Sequence, residues 1–570
     1  MYPAQVCATH APPSVSIVVR RGRLREHAHT MGTDEVTTRP IRPRWLRAAW
    51  GPAMVGHAIA GTGLYWDVAW HIDIGRDEAL FTIPHLMILA GLLLISLSTG
   101  VALLLAARDG FKLPKALIAV AFSTGLAVVG FPLDELWHQA RGIDVTMWSP
   151  THLLMIGGGG LAVLPLWFAL GEAGVRPTDG RGARLMHWFT AVTLLGGLSS
   201  FQGEYDFGVP QFQLLYHPVI VLIAGGLVLT AARIVLGRFG ALSVAAAFLA
   251  FRTLTMITLG PLGGHTVPRV TLYVGLALTI ELVALVVIPR RGLVPFALVS
   301  GAAIGTVGLA TEWAWANAFF HHPWTSALLP EAVLVGLVAA IGVALLGTGI
   351  GSALDERLPR MSVTPLAIGG LLVIVALLVP FPRTSASSPQ ASVSFEPVLG
   401  SGGSEANIRV VIGPPDAPYN ARWWEVMAWQ AGPLHLSPLI PGEGSGVYLT
   451  STPVPITGDW KVSLRLHRGS DLLTAELKRP ADPEFGLEAI EPTNRFVSLQ
   501  AQEITEPGTE NPSLSWLGPV VLAAVALLFL GWTVLTVRGG IAARTALEPP
   551  PPPSRAQRDS ERRSRKLRQG

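Results

Sequence analysis

An aspartate followed by two histidines recurs in the same order at two places in this chain. The two copies are Asp67, His71 and His85, and then Asp134, His138 and His152. One offset of 67 residues superposes them, and it also superposes Trp70 on Trp137 and Asp77 on Asp144. The shared offset indicates an internal duplication.

The spacing within each copy is typical of a metal site built on a helical hairpin. The first Asp and His stand four residues apart, so on a helix they share one face. The second His begins the next apolar run, and a hairpin would return it towards the first two. One carboxylate and two imidazoles are a ligand set for first-row metals with coordination positions left open. The alternative is an interfacial hydrogen-bonding scaffold of Trp, Asp and His.

Further polar residues follow the same pattern. We expect Trp70, Trp137, Asp77 and Asp144 to be accessory groups, with the two aspartates capping the next helix or orienting a ligand histidine. A diverged third copy would add metal ligands from Glu204, Asp206 and His217. A fourth would place Glu312, His321 and His322 as accessory groups. If the hairpins pack together, these groups converge on one pocket. If they lie in separate solvated loops, they form no common pocket.

Composition predicts a polytopic α-helical membrane protein. The chain has 570 residues, 50% of them hydrophobic and 14% charged, with a mean hydropathy of +0.46. It contains apolar runs of membrane-spanning length, from which we predict about 12 spans. Its one cysteine, Cys7, excludes a disulfide framework and a multi-thiolate metal site.

The positions of the basic residues predict the topology. Arg and Lys fall in alternate connections, so both termini are expected inside, and the basic pI reflects topology rather than nucleic-acid binding. The predicted parts are a basic leader (1–44), a membrane domain of about 11 helices (45–382) with duplicated hairpins at 46–107 and 114–170, an external domain with linkers (384–513), a last span (514–538) and a Pro/Arg-rich cytoplasmic tail (539–570).

Residues 384–513 change character to a β-rich pattern. Residues 408–412, 424–428, 446–449 and 460–466 alternate polar and apolar side chains between turn residues. The pattern predicts a small β-sandwich on the extracytoplasmic side.

Three resemblances follow from these motifs. The spacing of Asp67, His71 and His85, repeated at Asp134, His138 and His152, resembles the Asp-x3-His-x12-His copper-ligand pattern of one membrane subunit of the copper membrane monooxygenases, with a spacer of thirteen here. The sequence from Gly446 to Lys461 resembles FixH/YtkA-like exported β-sandwiches. The whole chain is similar to a family of uncharacterised actinobacterial polytopic membrane proteins.

These resemblances imply a bacterial plasma-membrane protein with copper, or alternatively zinc or iron, bound at its outer face. An oxidase or monooxygenase acting on a small apolar substrate from the lipid bilayer is one expectation. A copper-handling protein that meets a metal donor protein is another. The alternatives are a transporter or metal-insertion factor without redox chemistry, and a structural scaffold.

Overall fold

The computed structural model describes most of the chain between residues 43 and 548. The described ranges are 43–74, 81–142, 144, 146–380, 388–430, 434–481, 483, 487–501 and 512–548. The predicted leader lies almost entirely outside the described residues, and so do Asp77 and residues 549–570 of the predicted tail. Residues 539–547, predicted as the start of the tail, instead continue the last helix, Leu517–Leu547.

Helices occupy the described part up to residue 378 and again after residue 516. They are α1 Arg44–Ile74, α2 Ile83–Arg108, α3 Lys115–Arg141, α4 Pro150–Leu161, α5 Val163–Glu172, α6 Arg181–Ser199, α7 Gly203–Phe207, α8 Tyr216–Leu236, α9 Gly240–Ile257, α10 Val274–Arg291, α11 Leu293–Ala303, α12 Leu309–Phe319, α13 Leu329–Leu354, α14 Val363–Leu378 and α15 Leu517–Leu547.

Eight helical rods among the described residues are long and apolar enough to cross a membrane. They are Ile83–Arg108, Lys115–Arg141, Pro150–Glu172, Tyr216–Leu236, Gly240–Leu262, Leu293–Phe319, Ser326–Leu354 and Leu517–Leu547. The chain is therefore an integral membrane protein. The other four predicted spans are also helical, as α1, α6, α10 and α14, but are not among the eight. The total of twelve spans and their orientation stay predictions.

The duplicated segments are two antiparallel helical hairpins, α1 with α2 and α3 with α4. A glycine at the same position of each repeat lets the helices approach closely. A Cβ on Gly91 would lie 2.5 Å from the carbonyl oxygen of Gly56, and one on Gly158 would lie 2.5 Å from that of Ser123. Both glycines are therefore fixed by packing between helices, as small residues are in membrane bundles.

The β-rich domain is one antiparallel sheet. Its strands are β1 Gln390–Pro397, β2 Glu405–Gly413, β3 Trp423–Trp429, β4 Leu434–Pro441, β5 Val447–Thr450, β6 Val454–Pro455, β7 Lys461–Arg468, β8 Asp471–Lys478, β9 Arg495–Ser498 and β10 Gln500–Ala501. The four segments predicted as strands lie mainly in β2, β3, β5 and β7. The strands predicted from the alternating pattern are therefore confirmed.

The order of the strands gives the sheet a barrel-like form rather than that of two separate sheets. The order is β10-β8-β7-β3-β4-β5-β2-β1-β9, with β6 paired to β2. The edge strands β9 and β10 are joined by Leu499 alone, so the two edges of the sheet meet there. Alternate side chains of β1, β2, β3 and β7 fill one apolar core. We call this element the roof sheet.

The roof sheet is docked on the ends of the helices through polar contacts, some of them buried. His322 Nε2 lies 2.8 Å from Glu425 Oε1, and Arg422 pairs with Glu331. The Gln213 amide donates to the Ser470 carbonyl oxygen. Apolar side chains of the roof sheet, such as Trp423, join the core of the helical domain.

His467 on β7 anchors this interface in its neutral form. Its Nε2 accepts a hydrogen bond from the Leu214 backbone N–H at 3.2 Å, so its Nδ1 carries the proton and donates to the Asp471 carbonyl oxygen at 3.1 Å. Burial, together with the positive charges of Arg422 and Arg465, lowers the pKa of His467 to about 3. A protonated His467 would lose the bond from Leu214.

We predict that acid weakens this interface through His467. The unfolded chain, with a His pKa of 6.5, binds a proton between pH 6.5 and about 3 that the folded chain does not, so stability falls as the pH drops through this window. The loss at pH 5 is about 2 kcal/mol. The melting temperature, followed by tryptophan fluorescence at pH 7.5 and pH 5, should fall further in wild type than in His467→Gln, whose amide oxygen can accept from Leu214. Equal falls in both proteins would refute this role.

Candidate metal centre

The first motif copy forms a cluster where α1 ends and α2 begins. Asp67 and His71 lie on one face of α1, and His85 lies in the first turn of α2. His85 Nε2 is 3.1 Å and His71 Nε2 is 3.7 Å from Asp67 Oδ1, and the two rings are 5.9 Å apart. We call these three residues the first cluster.

The second motif copy forms a cluster of four residues between α3 and α4. Asp134 and His138 lie on α3, His152 lies on α4, and Asp144 comes from the loop between them. His152 Nε2 lies 3.6 Å from Asp134 Oδ1 and 3.8 Å from Asp144 Oδ2, while His138 Nε2 lies 3.5 Å from Asp144 Oδ2. These four residues are the second cluster. The duplicated hairpins thus bring together the Asp and His residues that the sequence predicted as ligands.

Local sequence fixes the second cluster in place. Gly142 has φ of 92°, a conformation that favours glycine, and it ends α3 so that the chain turns back with Asp144. Ser149 caps α4 by accepting from the His152 backbone N–H at 3.3 Å, ahead of Pro150 in the first turn. The Trp137 indole N–H donates to Asp144 Oδ1 at 3.0 Å, which leaves Oδ2 for the histidines.

The buried polar atoms of both clusters fit a bound cation. Asp67 Oδ1, Asp134 Oδ1, His138 Nε2 and Asp144 Oδ2 are buried without a hydrogen-bond partner. The ligand atoms of each cluster all lie within 4.8 Å of one another. Two atoms that each bind one ion at about 2 Å are about 3 to 4 Å apart, which matches the separations above.

The protonation of His152 and Asp144 supports the same conclusion. The His152 Nδ1–H donates to the Thr146 carbonyl oxygen at 3.1 Å, so a neutral ring turns its Nε2 lone pair towards two carboxylates. Burial raises the pKa of Asp144, but the neighbouring imidazoles of His138 and His152 outweigh it, and the pKa lies below its usual range. Lone pairs and carboxylates facing each other repel unless a proton or a metal ion lies between them.

Both clusters line one cavity of about 1410 Å³. Its walls come from α1, α2, α3, α4 and α6, and strands β3, β7 and β8 of the roof sheet close it on one side. Most of its lining is apolar, from residues such as Ile88, Leu92, Phe131 and Met155. An apolar chamber with a few convergent polar groups is the usual form of a small-molecule site.

Glu204 on α7 positions the second cluster instead of joining it. Its Oε1 accepts hydrogen bonds from the Thr146 hydroxyl and from the Met147 backbone N–H, the latter at 2.7 Å, and its Oε2 accepts from the Gln211 N–H at 2.9 Å. Thr146 in turn holds the His152 ring. Glu204 therefore fixes a ligand through an outer hydrogen bond.

The remaining predicted groups lie apart from the two clusters, each with its own partner. Asp206 pairs with Arg252 at 2.9 Å, and His217 Nδ1 accepts from the Trp324 indole at 2.9 Å. Glu312 accepts from the backbone N–H groups of Leu272 and Tyr273. His321 lies 3.4 Å from Arg269, and His322 binds Glu425 of the roof sheet. Among the described residues, the third and fourth motifs form no metal-binding group.

Sequence reasoning missed a contact next to the first cluster. His265 Nδ1 lies 2.8 Å from Asp73 Oδ2, and its Nε2 accepts from the Trp66 indole at 3.1 Å. The Trp70 ring lies 6.1 Å from His265. This contact ties the end of α1 to the loop after α9, and a lone loop histidine gives no pattern by which to predict it.

No protein-family model, curated protein or solved structure matches this chain. The site is therefore interpreted from its own geometry.

We predict that Glu204→Gln weakens metal binding at the second cluster alone. The glutamine amide keeps one acceptor oxygen, but its NH2 group is a donor and would face N–H donors that Glu204 accepts from. The two donors repel, so the loop that holds His152 shifts. The expected loss of affinity is about 10–100-fold, measured by competition with a chelator. Glu172→Gln is the matched control, because that partly buried carboxylate caps α3 at Ala116, far along the helix from the cluster. Unchanged affinity at the second cluster in Glu204→Gln would contradict the positioning role.

Proposed function

We propose that this protein is a metal-dependent protein of the bacterial plasma membrane. It holds one metal ion in each Asp/His cluster, and the clusters and the roof sheet lie on the extracytoplasmic side. The single observation that carries the proposal is the meeting of Asp and His side chains in two equivalent clusters, in which Asp67 Oδ1, Asp134 Oδ1, His138 Nε2 and Asp144 Oδ2 are buried without a hydrogen-bond partner. Such groups are expensive to bury unless they bind a cation.

We propose copper as the metal. Imidazole and carboxylate ligands suit copper, zinc and iron, and the spacing of the two motifs resembles that of copper ligands in membrane monooxygenases. The first cluster offers two imidazoles and one carboxylate, and the second offers one carboxylate more. Bound copper would supply redox chemistry at open coordination positions.

The apolar lining beside the clusters supports a small apolar substrate, whose oxidation there would need dioxygen as the oxidant, as in an oxidase or a monooxygenase. The cavity wall is mostly apolar beside the ligands, so it would exclude water and hold such a molecule near the metal. Trp137, Thr146 and Glu204 hold the ligands of the second cluster in place. Transport or insertion of metal is the second candidate, favoured by the same buried acidic and imidazole groups.

We predict that each cluster binds its own metal ion. Purified full-length protein, supplied with copper and then freed of excess metal, should hold about two ions by mass spectrometry. Asp67→Asn and His152→Ala should each lose one ion, and the double variant should lose both, because each substitution removes a ligand from one cluster. Cobalt, zinc and iron supplied in place of copper would establish the preference.

The matched control is His435→Ala, which removes a histidine of β4 whose ring lies near Thr452, away from both clusters. This variant should keep the wild-type content. If wild type purified without chelator holds no metal, or if the control loses as much as the cluster variants, the two clusters are not metal sites. Uptake of copper into vesicles containing the protein would favour the transport alternative.

A further inference from the structure

We infer that the cavity also binds the anionic group of an acidic amphiphile, through Arg465 and Arg252, with the apolar chain lying between α1 and α6. The ligand class is a molecule from the bilayer that carries a carboxylate or phosphate on a long hydrocarbon chain. This site uses residues outside both clusters, so it does not depend on the proposed metal.

Arg465 is a buried cation of the roof sheet that lacks a matching anion. It lies on β7, is 1% exposed and lines the cavity. Its Nη1 donates to the Met427 sulfur at 3.2 Å and its Nη2 to the Pro210 carbonyl oxygen, while its Nε has no hydrogen-bond partner. Within the described part of the chain, no carboxylate lies within ion-pair distance of it.

The two carboxylates whose charges act on Arg465 are bonded to other groups. Glu425 and Glu204 both act on Arg465 through their charges. Glu425 bonds with His322, and Glu204 bonds with the loop after Asp144. A buried guanidinium is costly without a close anion, and its planar fork suits carboxylate and phosphate groups.

Arg252 adds a second buried guanidinium to the same cavity. It is 1% exposed, and its Nη2 pairs with Asp206 at 2.9 Å. Its Nε and Nη1 have no hydrogen-bond partner, and the guanidinium lies 3.7 Å from the centre of the Tyr65 ring. Asp206 neutralises the charge of Arg252, so the charge that favours an anionic ligand is that of Arg465, and Arg252 contributes unused N–H donors.

We infer that the cavity opens to the outer surface of the helices between α1 and α6, where two of its lining residues are exposed. Val55 on α1 and Phe189 on α6 both line it and are 54% and 48% exposed. We call this gap the lateral opening. Since these helices pack among membrane-length rods, an apolar chain can pass from the bilayer through the lateral opening while its acidic end reaches the guanidinium groups.

Two glycines leave room along this path. Gly61 on α1 and Gly196 on α6 line the cavity, and a Cβ added at either would meet no atom within 4 Å. A substitution there therefore meets no neighbour at its Cβ, and we expect a larger side chain to extend into the cavity. This gives a way to test the apolar part of the site separately from the charged part.

The test measures binding of oleate to the full-length protein in an uncharged detergent, by native mass spectrometry. We expect one tightly bound oleate in wild type, at least about tenfold weaker binding in Arg465→Gln, and retention of part of the affinity in Arg465→Lys. Gly196→Leu should weaken oleate binding by blocking the path of the chain. The same measurements on chelator-treated protein should give the same result.

One control variant is matched to the charged part of the site and one to its apolar part. Arg468→Gln removes a guanidinium of the same strand that bonds to the Ala417 carbonyl oxygen and does not line the cavity, so oleate should bind as in wild type. Gly125→Leu changes a glycine of α3 that also has no neighbour within 4 Å and does not line the cavity. It should likewise leave binding unchanged.

Three results would overturn the inference. The first is equal binding of oleyl alcohol and oleate, because the guanidinium groups would then recognise no charge. The second is binding of acetate or inorganic phosphate as tight as that of oleate, which would identify a site for free anions. The third is oleate binding that neither Arg465→Gln nor Gly196→Leu weakens. Metal content measured on the same samples shows whether the metal clusters are intact, so that loss of oleate binding can be distinguished from loss of metal binding.

Discussion

The structure depends on how buried charge is neutralised where the helices meet the roof sheet. Carboxylates and imidazoles that lose water must gain a cation or a hydrogen-bond donor. Asp206 gains Arg252, Asp73 gains His265, and Glu204 gains a hydroxyl and two backbone N–H groups. In the two clusters, by contrast, Asp67 Oδ1, Asp134 Oδ1, His138 Nε2 and Asp144 Oδ2 have no hydrogen-bond partner. The partner that we propose for them is a bound metal ion.

Because the helical hairpin is duplicated, two sets of buried Asp and His side chains line one cavity. Each hairpin carries two ligands on the end of one helix and one at the start of the next, and a glycine such as Gly91 or Gly158 brings the helices into contact. Among the described residues, Trp137 holds Asp144 in the second copy, and His265 braces the end of α1 beside the first. The roof sheet covers both, so the clusters share one apolar chamber.

The sequence predicted the helical hairpins and the residues that meet in them, because the ligand spacing and the apolar periodicity are local. It also predicted the strands, although their closure into a barrel-like sheet depends on contacts distant in sequence, such as β1 with β9. Glu204 was predicted as a ligand, but it lies on a short helix and faces the loop at Thr146. The pairing of Arg252 with Asp206 likewise depends on how α7 and α9 pack, which no local pattern reveals.

X-ray absorption spectroscopy of the copper-loaded protein tests the central claim most directly. If the clusters are the metal sites, the spectrum should contain nitrogen and oxygen neighbours at about 2 Å, with the multiple scattering of two imidazoles per ion. Substituting His152 should reduce the imidazole contribution. A sulfur neighbour, for example from Met427 at the cavity wall, or a spectrum without imidazole scattering would contradict the account.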